Sequence, residues 1–140
     1  MKDGLSIPAA VADELIAHAR MELPNEACGL LAGDLGAGRA TAFHPARNVE
    51  ASPLRYNVHP DDLVRIVFAI EDHGQDLVAI FHSHTRSPAV PSATDLRTAQ
   101  YPDAFYVLAT LADPGAGPAE SLRAWRIRDG ASSEVSLRIE

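Results

Sequence analysis

The chain has 140 residues, of which 46% are hydrophobic and 22% charged, the make-up of one globular domain with its own core. This excludes collagen-like and disordered chains, and a single cysteine, Cys28, excludes a disulfide framework. Twelve Lys and Arg against nineteen Asp and Glu leave a net charge of −7, which repels phosphate backbones and argues against a general nucleic-acid binder.

No run approaches the roughly 18 apolar residues of a membrane span. Acidic residues interrupt the N-terminal stretch where a signal peptide would need an apolar core. The expectation is a cytoplasmic protein, a single domain over residues 1–140.

Helical spacing begins the chain. Val11, Leu15, Ile16 and Ala19 share a face between Pro8, suited to a first turn, and Pro24, which stops the run. His18 reads as a surface residue of that helix. Cys28 to Gly33 reads as a short buried strand, Asp34 to Gly38 as turn material, and Arg39 to His44 as the returning strand. His44, before Pro45, is a loop candidate. A second helix is predicted from Pro60 to His73. Asp61 and Asp62 suit its N-terminus, Leu63, Ile66, Val67 and Ile70 form its apolar face, and Gly74 ends it.

Leu77 to Phe81 is an apolar run bounded by turn residues, the pattern of a central strand. It leads straight into His82-Ser83-His84. A proline-bearing loop follows, then Ser92 as the N-cap of a third helix with Asp95 in its first turn. Phe105 to Thr110 and Leu122 to Arg128 are further strands, and Asp129-Gly130 is a hairpin turn into Val135 to Ile139. Helices and strands alternate early and strands dominate late, as in a mixed sheet with helices packed on it.

The chemistry concentrates in residues 82–95. Residues two apart on a strand point to one face, so His82 and His84 can direct both imidazoles at one point. A loop and a helix start can return Asp95 to the same place. Two nitrogens and one carboxylate oxygen make three protein ligands, the number typical of a catalytic zinc site. Each part also has a plain alternative: a strand-end histidine as a polar terminus, and Ser-x-x-Asp as a helix cap. Cys28, in an apolar strand, reads as a buried structural thiol, and a Cys-His nucleophile would be redundant beside zinc. Trp125 reads as strand packing. Ser83 and Ser87 read as loop filler, although Ser83 must lie near the site.

His-x-His, seven residues, Ser, two residues, Asp resembles the motif of the JAMM, or MPN-plus, metallopeptidases, and stands intact as His82, His84, Ser92 and Asp95. The Pro24-Asn-Glu26-Ala-Cys28-Gly-Leu-Leu stretch, Asn48 with Ser52-Pro53, and the Tyr106-Val-Leu strand are similar to further elements of that family. The resemblance implies zinc held by His82, His84 and Asp95, with Glu26 as a catalytic residue that is not a ligand. It implies that Ser92 supports the tetrahedral intermediate. It also implies an α/β fold, a mixed sheet sandwiched by helices, similar to the cytidine deaminase architecture; the deaminase Pro-Cys-x-x-Cys motif is absent.

Small stand-alone members of this kind resemble bacterial peptidases that act on sulfur carrier proteins. The resemblance therefore implies a peptidase that cleaves after the C-terminal Gly-Gly of a ubiquitin-like sulfur carrier and releases an amino acid, cysteine by expectation. The tail would be held by strand addition to a sheet edge. The alternatives are a general deubiquitinase-like isopeptidase and a module that binds a ubiquitin-like protein without cleaving it.

Overall fold

The computed structural model describes residues 4–140; Met1 to Asp3, at the head of the stretch read for a signal peptide, lie outside the described residues. Among the described residues, seven strands and four helices follow in the order β1 (Gly4–Ile7), α1 (Ala9–Met21), β2 (Cys28–Asp34), β3 (Arg39–Ala46), α2 (Pro60–Asp72), β4 (Asp76–His84), α3 (Ala93–Thr98), β5 (Phe105–Thr110), α4 (Pro118–Ser121), β6 (Leu122–Arg128) and β7 (Ala131–Ile139).

The strands lie side by side as β1-β3-β2-β4-β5-β6-β7 and close on themselves. The sheet is mixed: β2 runs antiparallel to β3 and β4, β4 parallel to β5, and β5-β6-β7 form an antiparallel run. β1 closes the order, pairing in parallel with β7 from Gly4 opposite Ser136 to Ile7 opposite Ile139, and meeting β3 at Ser6 and Arg39. β1 and the short α4 carry too few residues for a periodic signal, which is why neither is predicted from sequence.

β4 and β2 are central, and both faces of the sheet are covered, so their residues form near-continuous buried runs. On one face Leu5, Ile7, Leu31, Phe81 and Val107 pack with α1 through Val11, Leu15 and Ile16. On the other, Leu30, Ile80, Tyr106, Leu108 and Trp125 pack with α2 through Ile66 and Ile70. Each face packs its own core, so helices do sandwich the sheet. Gly29 serves the first face: a Cβ there would stand 2.6 Å from the His44 carbonyl and 2.5 Å from the Phe43 ring, which instead packs edge-on against Phe81.

Several local signals hold. Pro8 stands at the N-cap position, directly ahead of the first turn of α1, the α2 N-terminus carries Asp61 and Asp62 with the His59 ring accepting from Asp61 N–H at 3.1 Å, and Gly74 beyond α2 has φ 66°. Asp129 and Gly130 both have positive φ, the type I′ hairpin conformation. Other expectations are corrected. His44 lies within β3, opposite Leu30, because the pairing with β2 continues past it to Ala46. His18 is half-buried rather than a surface residue: its Nε2 donates to the Cys28 carbonyl at 3.1 Å and its ring packs on Phe43, tying α1 to the start of β2.

Candidate active site

β4 alternates its side chains. Phe81 enters the α1 core and Ile80 the α2 core, so His82 and His84 continue the Ile80 face. The strand carries both histidines to its C-terminal end, where β5 still pairs with them through Leu108 and Thr110. The chain then loops to Ser92, the N-cap of α3. Ser92 Oγ accepts from Asp95 N–H at 3.0 Å, and Ser92 N–H donates to Asp95 Oδ2 at 2.9 Å, a reciprocal capping box. The cap fixes the Asp95 carboxylate, turned back toward β4. His82 Nε2 lies 3.1 Å from Asp95 Oδ2 and His84 Nε2 lies 3.0 Å from the same oxygen.

The Ser-x-x-Asp pattern is thus a helix cap and part of the cluster at once. All three side chains are buried, and their nearest donor atoms fall within 4.8 Å of one another, a group that could hold a metal ion.

The protonation pattern tests that fit. His84 Nδ1 lies 2.7 Å from the Pro88 carbonyl, which can only accept, so Nδ1 carries the proton. In neutral His84, Nε2 then presents a bare lone pair to a carboxylate oxygen. Two lone pairs facing one another at this range require a cation between them, a proton or a metal ion. Burial pushes His84 down, but the Asp95 carboxylate and the Pro88 carbonyl outweigh it and raise its pKa. His82, fully buried, is held below its ordinary value by burial despite Asp95. Burial likewise pushes the Asp95 carboxyl up, but the hydrogen bonds of His82 and His84 prevail and hold it far below the carboxylate range. A carboxylate kept ionised beside two imidazoles is a donor set suited to a divalent transition-metal ion. Tyr56 stacks on the His82 ring, centroids 4.2 Å apart and planes 18° apart, and closes that side of the cluster.

Glu26 lies just ahead of β2. It is 4% exposed, and its Oε1 has no hydrogen-bond partner. Burial pushes its carboxyl up to about 7, with His84 opposing and Asp95 adding to the rise. Glu26, His84 and Ser92 line one cavity of about 810 Å³, with Leu23, Pro24, Pro53, Leu54 and residues 85–87 as its walls. Ser92 Oγ uses one lone pair as the cap acceptor, which leaves its O–H free to donate.

The five residues singled out in the sequence therefore come together. Ser83, read as filler, does not fit that reading. It is fully buried, its Oγ accepts from Ala27 N–H at 2.8 Å, and its own N–H donates to the Ala27 carbonyl at 3.0 Å, so it clips the residue after Glu26 to β4. Its place between two histidines on a strand was the available signal. Cys28 is buried, its pKa pushed up to about 12 first by burial and then by nearby carboxylates; it is a structural thiol. Trp125 is packing with a tether, its indole N–H donating to the Ala89 carbonyl in the loop before α3 at 3.0 Å.

Residues 8–128 match the family model described as prokaryotic homologs of the JAB domain. The chain belongs to this prokaryotic JAB family. It is 40% identical over 135 residues to the CysO-cysteine peptidase of Mycobacterium tuberculosis, covering 96% of this chain and 90% of that one. It is 43% identical over 109 residues to the desampylase of Haloferax volcanii, covering 74% and 78%. Among solved structures, protein DSY2949 of Desulfitobacterium hafniense superposes with a TM-score of 0.86 at 30% identity, covering 97% and 92%. The family bears out the resemblance read from the motif and the sandwiched mixed sheet expected from it. Among the described residues, no helix is long and apolar enough to cross a membrane.

Proposed function

We propose that this JAB-family protein is a zinc-dependent peptidase that cleaves the amide bond after the C-terminal Gly-Gly of a ubiquitin-like sulfur carrier protein and releases a single amino acid, cysteine. The observation that carries the catalytic part is the convergence of Glu26, His84 and Ser92 on one cavity beside the His82-His84-Asp95 donor set. The substrate part is supported by the similarity to a CysO-cysteine peptidase along nearly the whole chain.

His82, His84 and Asp95 would hold the zinc. When bound, zinc supplies a water acidified to a pKa near about 7 and a polarised scissile carbonyl. Glu26 accepts the proton of the attacking water; its pKa of about 7 suits a group that must both take and return a proton near neutrality. Oxygen adds to the carbonyl carbon, and the Ser92 hydroxyl donates to the developing oxyanion. The C–N bond then breaks, and Glu26 returns the proton to the departing amine. The free acid stays on the carrier, and no covalent enzyme intermediate is needed.

The carrier tail would enter between the Leu23-Pro24 and Pro53-Leu54 walls of the cavity. Those walls are loops, so the Gly-Gly end would lie in a loop-walled groove beside the donor set. Leu54 and Leu23, 79% and 47% exposed, give its mouth apolar contacts for the folded partner.

The desampylase relative favours a second reading, cleavage of a ubiquitin-like modifier from another protein. Initial rates on a carrier–cysteine adduct, on a free Gly-Gly-Cys peptide and on a ubiquitin dimer separate the two. The adduct is expected to react fastest and the free peptide poorly. Fast dimer cleavage with no activity on any carrier adduct would sink the sulfur-carrier reading.

A further inference from the structure

Glu26 has a buried carboxylate oxygen with no partner, and it precedes β2, so no regular ladder holds it. The backbone must set where its side chain points, and one side chain organises that backbone from outside. Asn48 Nδ2 donates to the Glu26 carbonyl at 3.1 Å and to the Arg55 carbonyl at 3.1 Å. Asn48 Oδ1 accepts from Glu50 N–H and from Asn57 N–H, both at 3.0 Å. The amide thus uses both donors and both lone pairs. Its partners pull residues 48–58 into a closed loop, sealed by Val49 N–H to the Asn57 carbonyl and the Asn48–Val58 bridge. The loop then grips Glu26 a second time, for the Glu26 N–H donates to the Ser52 carbonyl at 2.8 Å. Both polar groups of the Glu26 peptide backbone are therefore held by a loop that Asn48 ties.

We infer that Asn48 is a positioning residue for Glu26. It acts through the Glu26 backbone, aiming a carboxylate whose Oε1 has no hydrogen bond of its own. The inference rests on the reading of Glu26 as the group that carries the proton.

Asn48→Asp keeps the acceptor side of the clamp and removes its donor side. Aspartate keeps an acceptor for the Glu50 and Asn57 amides but turns an oxygen, not a donor, toward the Glu26 and Arg55 carbonyls. On a ubiquitin-like carrier ending in Gly-Gly-Cys, Asn48→Asp is expected to lower kcat by roughly 10- to 100-fold, the scale of a misplaced catalytic group. KM should stay within about twofold and zinc content should be unchanged. In the metal-free protein, hydrogen exchange at the Glu26 amide should quicken by at least about tenfold while the Glu50 and Asn57 amides stay protected. In a Glu26→Gln background the same substitution should cost no further kcat, because two residues acting as one unit do not add.

Unchanged kcat in Asn48→Asp, beside a Glu26→Gln variant that is slow, would overturn the inference alone. So would unchanged exchange at Glu26, or a loss of kcat that multiplies in the double variant. Full kcat in Glu26→Gln would instead remove the proton-carrying role and the inference with it. If Asn48→Asp does not fold, Asn48→Ser, which keeps a small acceptor and loses the reach to Glu26, is held to the same outcomes.

Discussion

His84 and Asp95 face one another across 3.0 Å, Nε2 to Oδ2, while the other ring nitrogen of His84 is committed to the Pro88 carbonyl at 2.7 Å. The tautomer is thereby fixed by a loop carbonyl four residues on, and the free lone pair is aimed at a carboxylate. Binding a metal ion there replaces the proton that must otherwise fill the gap, so metal affinity falls as pH falls.

The purified protein is expected to carry close to one zinc per chain by elemental analysis. His84→Ala and His82→Ala should lose most of it, and Asp95→Asn should bind more weakly. Free zinc at about 100 times its Kd should stabilise the wild type by about 2.7 kcal/mol and raise its Tm, with no such rise in His84→Ala. Full metal in both histidine variants would refute the ligand assignment.

Glu26→Gln should keep zinc and lose about 10²- to 10⁴-fold in kcat, since an amide cannot carry the proton. Its stability has a signed pH dependence in the metal-free protein. Folding raises the Glu26 pKa from 4.5 to about 7, so the group's contribution is fully present below 4.5 and lost as pH rises through about 7. Glutamine has no such loss. The Tm of metal-free Glu26→Gln should therefore exceed wild type more at about pH 8 than at about pH 5; a constant offset would contradict the burial argument.

Ser92→Ala removes a helix cap and, with it, the proposed oxyanion donor. The expected losses are of order 10²–10³ in kcat and about 1 kcal/mol of stability. Ser92→Thr retains both groups and should restore most of each, measured as kcat and Tm side by side.

Tyr56→Phe should be near neutral, because it is the ring that covers His82. Tyr56→Ala should weaken zinc binding by a few-fold, in line with about 0.5–1.5 kcal/mol for a ring contact. Competition with a chromophoric chelator reads this directly.

The parts of the fold legible in the sequence are those fixed by neighbours in the chain. Ser92 capping α3 through Asp95, the α2 acidic start and the Asp129-Gly130 turn each follow from a few adjacent residues. The strand period likewise placed His82 and His84 on one face. What sequence left unread depends on distant partners. β1 finds β7 at the far end of the chain, His18 meets the Cys28 carbonyl only once α1 lies on the sheet, and Ser83 meets Ala27 only when β4 lies beside β2. Asn48 stood out with Ser52-Pro53 as similar to a family element, but its hold on Glu26 crosses 22 positions and no local pattern announces it.

The most direct test strips the protein of metal, adds zinc back in steps to one equivalent, and reads the C-terminal mass of a ubiquitin-like carrier ending in Gly-Gly-Cys. The expected result is loss of one cysteine residue, leaving a Gly-Gly end, at a rate that rises with zinc and saturates near one equivalent. His84→Ala should give none. Release of cysteine at full rate by the stripped protein, or an intact carrier mass at saturating zinc, would contradict the account.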